Sequence, residues 1–318
     1  MFKGWTNNGV PDKDTNEMKR ILIAGGSGLI GTSLSDFLAS KNYQVSWLSR
    51  KTAHQTFPTF YWNPEKMELD SKALQNLDVL INLAGSSIGE GRWTSDRKMQ
   101  ILNSRTASIK TLKVHLSTLN NKIPLLIQAS AIGYYGNCGD QALNEDSDCC
   151  VPDFLSQTCA RWEQEATQLK EFVENMSIIR TGLYLNSKGG VWPKLIQTKA
   201  LRFLNYFGSG EQFYSWIHVQ DYNRAIEFII QQNASGIFNF TSPHAVKNKN
   251  LVKTICKLSK HTCICFPVPA FMLKLILGEQ ANLLLNSNNV YPKKLLDAGF
   301  KFSFNSIEQA IEELNGSL

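Results

Sequence analysis

The sequence predicts an α/β fold in which helices cover both faces of a doubly wound parallel sheet. Two observations lead to this prediction. Short apolar runs alternate with stretches of helical periodicity along residues 19–240, and a glycine-rich loop joins the first run to the first helical stretch. The chain has 318 residues, of which 43% are hydrophobic and 19% are charged. This composition excludes a disordered, fibrous or coiled-coil protein and supplies enough apolar material for a large core.

The predicted elements follow one another in alternating order. We predict strands at residues 20–24, 44–48, 78–84, 124–129, 177–180 and 236–240, and helices at residues 29–40, 94–119, 153–174 and 221–231. Residues 1–18 are polar and predict a loose N-terminal arm. Residues 19–182 would form the main domain, with residues 215–242 returning to it. Residues 183–318 have shorter elements and more loops, which predicts a smaller, discontinuous C-terminal lobe over the carboxyl ends of the strands.

Charge and cysteine content narrow the classes of function. The net charge of +6 is mild and the basic residues are scattered, so nucleic-acid binding is not expected. The first residues lack the apolar core of a signal peptide. The longest apolar stretch, residues 266–277, is shorter than the roughly 20 residues that span a membrane, so we expect no membrane partner. The seven cysteines include no C-x-x-C pair, and we interpret them as reduced thiols in a cytoplasmic protein without a metal site.

The glycine-rich loop has the pattern Gly25-Gly-Ser-Gly28-Leu-Ile-Gly31. It follows a predicted strand and opens a predicted helix, which is the setting in which such a loop binds the pyrophosphate of a dinucleotide. Glycines let the backbone approach closely, and the helix N-terminus offers free N–H groups to the anion. We therefore predict cofactor contacts from Gly25, Gly28, Leu29, Ile30 and Gly31. A glycine-rich turn without a ligand is the alternative.

The end of the second predicted strand favours NADP over NAD. Folds that bind NAD carry an acidic residue there, which bonds the ribose 2′-hydroxyl. This sequence has Ser49-Arg50-Lys51 instead. Arg50 can bind a 2′-phosphate through two hydrogen bonds, and Lys51 adds positive charge. The alternative is that both are solvated loop charges.

Further strings match a known family. The strings Asn82-Leu-Ala-Gly85, Arg180-Thr-Gly182 and Ser215-Trp-Ile-His-Val-Gln-Asp221 resemble the extended short-chain dehydrogenase/reductase superfamily, whose nucleotide-binding domain is a Rossmann fold. A denser set comprises Gly91-Arg-Trp-Thr94, Ser104-Arg105, Ala129-Ser-Ala-Ile-Gly-Tyr-Tyr-Gly136, Phe154-Leu, Cys159-Ala-Arg-Trp-Glu163 and Tyr291-Pro-Lys-Lys-Leu. It is similar to one subgroup, the atypical epimerase-like proteins that include bacterial YfcH-like proteins of the NAD-dependent epimerase/dehydratase superfamily, which carry a C-terminal segment of unknown function. The likeness runs from about residue 19 to residue 314.

This resemblance implies a Rossmann fold that binds NADP. By position, it implies cofactor contacts from the turn and helix around the adenosine and ribose and from a residue near the nicotinamide: Leu83, Ala84, Gly85, Gln100, Arg105 and Leu183. Taken from the residues alone, Arg105 on a largely apolar helix face indicates either an anion partner or a structural ion pair.

The acid–base pair of the superfamily is missing. Its chemistry needs a Tyr and a Lys four residues apart on one helix face, plus a Ser, because the Lys lowers the pKa of the phenol that exchanges a proton with the substrate. Alignment on Glu163 puts Leu155 at the Tyr position and Cys159 at the Lys position. The usual Ser stands five residues before the glycine of the Tyr-Gly turn, a position that Ala131 holds here, so Ser130 is one residue early. Ordinary dehydrogenase or 4-epimerase chemistry is therefore in doubt.

Four residues are candidates for the missing groups: Ser130, Tyr134, Tyr135 and Cys159. The two tyrosines follow the strand predicted at 124–129, and one of them would face the nicotinamide. Ser130 would bond a substrate oxygen, and Cys159 would act as a weak acid if its pKa were adjusted. Each has a structural alternative, because such a Tyr is commonly packed with its hydroxyl bonded and a helical Cys is commonly a small buried hydrophobe.

Other side chains also have two interpretations. His218, which precedes Asp221, is either a general base or a residue that orders the turn into the next helix. Four aromatic residues either line a sugar pocket or pack in a core: Trp192, Phe213, Tyr214 and Trp216. Lys188 and Arg202 either meet a substrate phosphate or are solvated.

Two functions are compatible with these residues. The first is an NADP-dependent oxidoreductase or epimerase with a rearranged acid–base pair, acting on a small polyhydroxylated substrate that is either free or nucleotide-linked. The second is an NADP-binding sensor or partner-binding protein whose turnover is reduced. The intact glycine loop beside an absent Tyr/Lys pair favours the second, and the density of matching residues at the nicotinamide end favours the first. The chain would act as a monomer or homodimer.

Overall fold

A computed structural model describes residues 18–259 and 263–316. The predicted arm, apart from Met18, lies outside the described residues. The chain builds an eight-stranded sheet from the strands Arg20–Ala24 (β1), Gln44–Ser49 (β2), Thr59–Asn63 (β3), Glu68–Leu69 (β4), Val79–Asn82 (β5), Ile123–Ala131 (β6), Val173–Thr181 (β7) and Gly236–Phe240 (β8). Their order in the sheet is β8–β7–β6–β5–β1–β2–β3–β4, and every pair is parallel except β3 with β4.

Helices cover both faces of this sheet. The longer helices are Leu29–Ser40 (α1), Ser95–Leu116 (α2), Phe154–Ala166 (α3), Val219–Gln232 (α4), Asn248–Lys257 (α5), Ala270–Leu277 (α6) and Ile307–Gly316 (α7). Of these, α1 and α4 cover one face of the sheet and α2 and α3 the other, whereas α5 and α7 pack in a separate cluster of the C-terminal part. Short helices lie at Trp192–Ile196, Asn282–Leu285 and Lys293–Asp297, and 3₁₀ turns at Ser71–Leu74, Ile132–Tyr135, Thr167–Phe172, Lys199–Leu201 and Gly278–Ala281.

The core has two layers because β1 is buried on both faces. Ile21 and Ile23 pack into the cluster beneath α1 and α4, whereas Leu22 and Ala24 pack into the cluster beneath α2 and α3. A strand covered on both sides needs apolar residues at every position, which explains the unbroken run in the sequence. The predicted doubly wound α/β class is confirmed.

The strand order places the switch point of the sheet at β1. Its neighbours are β2 on one side and β5 on the other, and the chain runs outward from β1 in both directions. Open α/β sheets bind ligands beyond the carboxyl ends of the strands at this point. The loops after β1, β2 and β5 therefore form the expected binding crevice.

Two parts of the sheet differ from the sequence prediction. The strands β3 and β4 were not predicted, because the run Thr59–Asn63 is short and lies between Pro58 and Pro64. The helix predicted at residues 153–174 ends as α3 at Ala166 and continues as a 3₁₀ turn, so that β7 begins at Val173 rather than at residue 177.

The remaining residues form smaller sheets beside the main one. These sheets pair Leu183–Asn186 with Gly189–Gly190 and Trp216–His218, Phe203–Phe207 with Ile264–Val268, Phe213–Tyr214 with Val246–Lys247, and Ala142–Leu143 with Asn289–Val290. Trp192 and Trp216 are fully buried in the core of this part, and the Tyr214 hydroxyl donates to the Leu284 carbonyl at 2.7 Å. Core packing therefore accounts for these three aromatic residues. The division into domains stays a prediction.

The cysteine interpretation is wrong for one pair, because Cys138 and Cys150 form a disulfide. The sequence separation of 12 residues gave no motif from which the pairing could be predicted. Within the described part of the chain, no helix is both long and apolar enough to cross a bilayer. The same residues contain no group of three or more acidic, His or Cys side chains arranged to hold a metal ion.

Candidate cofactor and active site

The glycine loop lies directly after β1 and needs glycine for steric reasons. Gly25 has a φ of +82°, and a Cβ there would lie 3.1 Å from the Leu83 carbonyl carbon. A Cβ at Gly31 would lie 2.3 Å from the Gly25 oxygen, too close for any real side chain. The loop is thus packed against the turn after β5 and against the first turn of α1. At these glycine positions no side chain separates the backbone from a ligand.

The N-terminus of α1 is open to an anion. Gly28 is the N-cap and no side chain caps the helix. The first helical hydrogen bond runs from the Thr32 N–H to the Gly28 carbonyl at 2.8 Å, so the N–H groups of Leu29 and Ile30 have no acceptor within the helix. Gly28 is exposed and both following residues are half-buried. Free N–H groups at a helix start beside a glycine-rich loop fit a pyrophosphate.

Arg50 and Lys51 lie at the carboxyl end of β2, beside this loop. Leu48 pairs with Ala24, which sets Ser49 and Arg50 next to Gly25. Both basic side chains are exposed. Within residues 18–259 and 263–316, Arg50 makes no ion pair or hydrogen bond, so its guanidinium is available to a ligand.

A buried amide network holds the turn after β5. The Asn82 side-chain amide donates to Gln128 Oε1 at 2.9 Å and to Ser108 Oγ at 3.2 Å, and its oxygen accepts the Ala84 N–H at 3.2 Å. These bonds fix the turn of Leu83, Ala84 and Gly85 at the opposite wall of the crevice. The string Asn82-Leu-Ala-Gly85 is therefore explained by the Asn82 hydrogen bonds that hold this turn.

Arg105 projects from α2 toward this turn. A Cβ placed at Gly85 would lie 3.2 Å from the Arg105 guanidinium carbon, and Nη1 donates to the Ser86 carbonyl at 3.2 Å. The guanidinium also lies over the Trp162 ring at 4.9 Å, and burial lowers the pKa of Arg105. No carboxylate pairs with it in the described part of the chain, which disfavours the ion-pair alternative. Gln100, one turn earlier, is exposed and accepts a hydrogen bond from Arg97.

The residues at the Tyr and Lys positions face the loop after β6. A Cβ at Gly133 would lie 3.5 Å from the Leu155 Cβ and 3.7 Å from the Cys159 sulfur. Cys159 is buried, and burial raises the pKa of its thiol to about 12. The thiol therefore stays protonated at neutral pH and is a poor proton-transfer group. The spacing Tyr-x-x-x-Lys occurs once elsewhere, at Tyr184 and Lys188, but on a strand and its turn rather than on a helix.

Ser130 belongs to a buried ion network. Its hydroxyl donates to Glu163 Oε1 at 2.7 Å. Arg180 donates to the same oxygen from Nε at 2.9 Å and to Oε2 from Nη2 at 2.8 Å. All three side chains are buried, and the carboxylate is bound on both oxygens. This geometry disfavours a proton-transfer role for Ser130.

The two adjacent tyrosines have different environments. The Tyr135 hydroxyl is buried and contacts the Asn144 carbonyl and the Asn239 side-chain oxygen, each at 2.9 Å, and burial raises its pKa. Tyr134 is half-buried, with its ring stacked on the Arg180 guanidinium. Its hydroxyl has no hydrogen-bond partner among the residues described. Of the two, only Tyr134 offers a hydroxyl to a substrate.

Residues from the C-terminal part close the crevice. Leu183 is half-buried, and its N–H donates to the Ser215 carbonyl at 2.8 Å. The hairpin formed by Leu183–Asn186 and Gly189–Gly190 contacts the start of α1, directly after the glycine loop. A Cβ at Gly190 would lie 2.9 Å from a Leu29 methyl carbon. Lys188 and Arg202 are exposed and away from any described carboxylate.

His218 has a structural role. Its Nδ1 accepts the Gln220 N–H and so caps α4, and its Nε2 lies 2.8 Å from Glu313 of α7. Asp221 accepts the N–H groups of Ser303 and Phe304 at 2.8 and 2.9 Å. Both residues fasten the C-terminal segment to α4, as the structural interpretation predicts.

The fold and this crevice define a class: an epimerase-like, NAD(P)-binding Rossmann protein of the extended short-chain dehydrogenase/reductase type, with Leu155 and Cys159 in place of the usual pair. The sequence comparisons identify the family. The model of the NAD dependent epimerase/dehydratase family matches residues 21–240, and a domain of unknown function (DUF1731) matches residues 268–314. The chain belongs to this epimerase/dehydratase family.

Individual relatives agree with this assignment. Epimerase family protein YfhF of Bacillus subtilis is 34% identical over 298 residues, which cover 92% of this chain and 97% of YfhF. The crystal structure of human epimerase family protein SDR39U1 with NADPH is 25% identical, covers 94% of this chain and 100% of its own, and superposes with a TM-score of 0.84. A nucleoside-diphosphate sugar epimerase from Corynebacterium glutamicum is 26% identical with a TM-score of 0.74; the match covers 95% of this chain and 59% of that protein.

Proposed function

We propose that the protein is an NADP(H)-dependent oxidoreductase or epimerase that acts on a small, polyhydroxylated and nucleotide-linked substrate. The observation that carries this proposal is the N-terminus of α1, which no described side chain caps, beside Arg50, which has no ion-pair or hydrogen-bond partner among the described residues. Together they offer backbone N–H groups to a pyrophosphate and a planar cation to a 2′-phosphate. The substrate class rests on the family and on the sugar epimerase from Corynebacterium glutamicum.

NADP fits the crevice better than NAD for an electrostatic reason. Position 50 is Arg, where a fold specific for NAD carries an acid. A carboxylate there would repel a 2′-phosphate, whereas a guanidinium binds it. The human relative was crystallised with NADPH, which supports the same preference.

Tyr134 is the residue we assign to proton exchange with the substrate. NADP, when bound, supplies the nicotinamide that exchanges a hydride. In this chain the Tyr134 hydroxyl has no partner among the described residues, while Ser130 and Tyr135 are engaged and Cys159 stays protonated. Arg180 fixes the Tyr134 ring by stacking, so the hydroxyl is held at the carboxyl edge of β6.

The second candidate is an NADP(H)-binding sensor or partner-binding protein. The substitution of Leu155 and Cys159 for the usual pair favours it, because neither side chain can replace a Tyr that a Lys activates. The two candidates share the cofactor site and differ in whether any substrate is converted.

The first experiment titrates the purified protein with NADPH and NADH and follows nicotinamide fluorescence. We expect tighter binding of NADPH, and we expect Arg50→Ala to weaken NADPH binding at least about tenfold while leaving NADH unchanged. Lys122→Ala removes an exposed cation before β6 and is the matched control. Equal binding of both nucleotides by the wild type would refute the assignment of Arg50.

The second experiment separates enzyme from sensor. The protein with bound NADP⁺, whose oxidised nicotinamide can accept a hydride from a sugar carbinol carbon, is incubated with nucleoside-diphosphate sugars, and products are detected by NMR. We expect conversion by the wild type and a loss of at least about 100-fold in kcat for Tyr134→Phe, with NADPH affinity unchanged. Bound NADP⁺ without conversion of any substrate would favour the sensor.

The assembly and location are further proposals. We propose a monomer or homodimer in the cytoplasm, to be tested by light scattering and by thiol labelling of the protein in intact cells. The buried thiol of Cys159 is consistent with a reducing compartment, whereas the Cys138–Cys150 disulfide is unusual there.

A further inference from the structure

An exposed apolar surface lies far along the chain from the glycine loop. It consists of six side chains on the strand Ile264–Val268 and on α6, with exposed fractions between 42% and 76%: Ile264, Phe266, Phe271, Met272, Leu275 and Ile276. We call it the 264–276 surface. Isolated exposed apolar residues are ordinary, but a group of large ones along one continuous segment marks an interaction site.

The side chains of this surface share faces because of backbone periodicity. On α6, Phe271 and Leu275 are four residues apart, as are Met272 and Ile276, so all four lie on one side of the helix. Only Leu273 of α6 is buried, on the other side. The helix therefore presents more apolar surface to solvent than to the protein.

The strand before α6 adds to this surface. Ile264 and Phe266 share one face of the strand by its two-residue period, and Cys265 between them points inward to within 3.3 Å of the Cys256 sulfur on α5. The outward face thus carries the two large apolar side chains.

The charge around this surface is positive. In the sequence, Lys274 is the only charged residue from 264 to 276, and Glu279, which follows α6, is paired with Lys98. Lys274 lies on α6 within the surface and is exposed. Arg202 is also exposed, and it lies beside this surface because its backbone carbonyl accepts the Ile264 N–H. Neither cation has an ion-pair partner among the described residues. A partner with negative charge therefore complements this face.

A second copy of the chain fits poorly. A two-fold interface brings the same patch of each copy together, so the second copy would add the cations Lys274 and Arg202 again and no anion from the 264–276 surface. An anionic lipid surface supplies the negative charge that attracts these cations. Phe271 and Leu275 are 71% and 76% exposed and so protrude, and protruding apolar side chains enter a membrane interface without needing complementary pockets.

Contrary to the expectation from the sequence that there is no membrane partner, we propose that the 264–276 surface docks the protein on an anionic phospholipid membrane, with α6 lying in the interface. Phe271, Leu275 and Ile276 enter the boundary between headgroups and acyl chains, and Lys274 and Arg202 contact lipid phosphates. The absence of a spanning helix among the described residues does not bear on this proposal, because an interfacial helix needs an apolar face and cationic neighbours rather than a spanning length.

The test is cosedimentation of the full chain with vesicles. One set is phosphatidylcholine alone, and the other contains roughly one-third phosphatidylglycerol. We expect binding to the anionic vesicles that weakens with salt, and a loss of at least about tenfold for Leu275→Asp and for Lys274→Glu. Met67→Asp is the matched control: it places the same charge at another exposed methionine, whose φ of 57° an Asp tolerates, and should leave binding unchanged.

Three outcomes would overturn the proposal. The first is a wild type that does not sediment with anionic vesicles. Binding by Leu275→Asp equal to that of the wild type is the second. A dimer that Leu275→Asp converts to a monomer, without vesicle binding, is the third and would assign the surface to a second copy. Far-UV circular dichroism checks folding, and Phe271→Asp replaces Leu275→Asp if that variant unfolds.

Discussion

Arg180 and Tyr134 are stacked, with 3.4 Å between the guanidinium carbon of Arg180 and the centroid of the Tyr134 ring. The guanidinium is at the same time held edge-on by Glu163 through two hydrogen bonds. One buried cation thus orients the aromatic ring of the candidate active site and satisfies a buried carboxylate. The orientation of Tyr134 depends on Glu163, although these two residues do not touch through any described hydrogen bond.

Removing the carboxylate should destabilise the protein. We expect Glu163→Gln to lower the free energy of unfolding by about 3–5 kcal/mol, because it leaves the buried Arg180 charge uncompensated. Urea unfolding followed by circular dichroism measures this change. The control is Glu165→Gln on the same helix, whose partner Arg161 is exposed and whose loss should cost at most about 1 kcal/mol. Equal effects of the two variants would contradict the role given to the buried pair.

Gly31 should not accept even the smallest side chain. In Gly31→Ala the new Cβ would lie 2.3 Å from the Gly25 oxygen, so the glycine loop must shift. We expect a loss of about 1–3 kcal/mol in stability and at least about tenfold weaker NADPH binding. Fluorescence titration and thermal unfolding measure both effects. Gly316→Ala at the end of α7, where a Cβ meets nothing within 4 Å, is the control. Unaltered NADPH binding by Gly31→Ala would argue against the loop as the cofactor site.

His218 should make stability depend on pH. Burial lowers the pKa of His218 below its ordinary value of 6.5, although Glu313 opposes the shift. The unfolded chain therefore takes up a proton at a higher pH than the folded chain does. The contribution of His218 is present above pH 6.5 and is lost as the pH falls through the lower, folded pKa.

The measurement compares unfolding free energies at about pH 7.5 and about pH 5.5 for the wild type and for His218→Asn, since Asn keeps the N-cap hydrogen bond. We expect the wild type to lose more stability on acidification than the variant does. The same pH dependence in both proteins would show that other groups are responsible.

The Cys138–Cys150 disulfide should stabilise the segment after Tyr135. It closes a loop with a sequence separation of 12 residues, and loop-closure entropy gives about 3 kcal/mol for a loop of this size. We expect Cys138→Ala with Cys150→Ala to lose about this amount in urea without reductant. Cys149→Ala removes the neighbouring thiol and should have a smaller effect. A peptide map without reductant that lacks the 138–150 crosslink would disprove the pairing.

The fold class could be predicted from the sequence because its signals are local. The run Arg20–Ala24, the glycines after it and the periodicity of Leu29–Ser40 lie within about twenty consecutive residues, and each follows from turn chemistry or helix period. The absence of the Tyr/Lys pair could also be predicted, because the two residues would stand four apart on one helix and the sequence shows Leu155 and Cys159 there.

The sequence by itself therefore determined the α/β class, six of the eight described strands of the main sheet, the glycine loop and the basic residues that follow β2. Tertiary structure alone decided which candidate hydroxyl is free, because the partners come from distant segments. Tyr135 meets Asn239, which is 104 residues away, and Ser130 meets Glu163, which is 33 residues away. It also decided that Trp192 and Trp216 are core residues and that the apolar side of α6 is left exposed. Periodicity shows which face of an element is apolar, but only packing against other elements shows whether that face is covered.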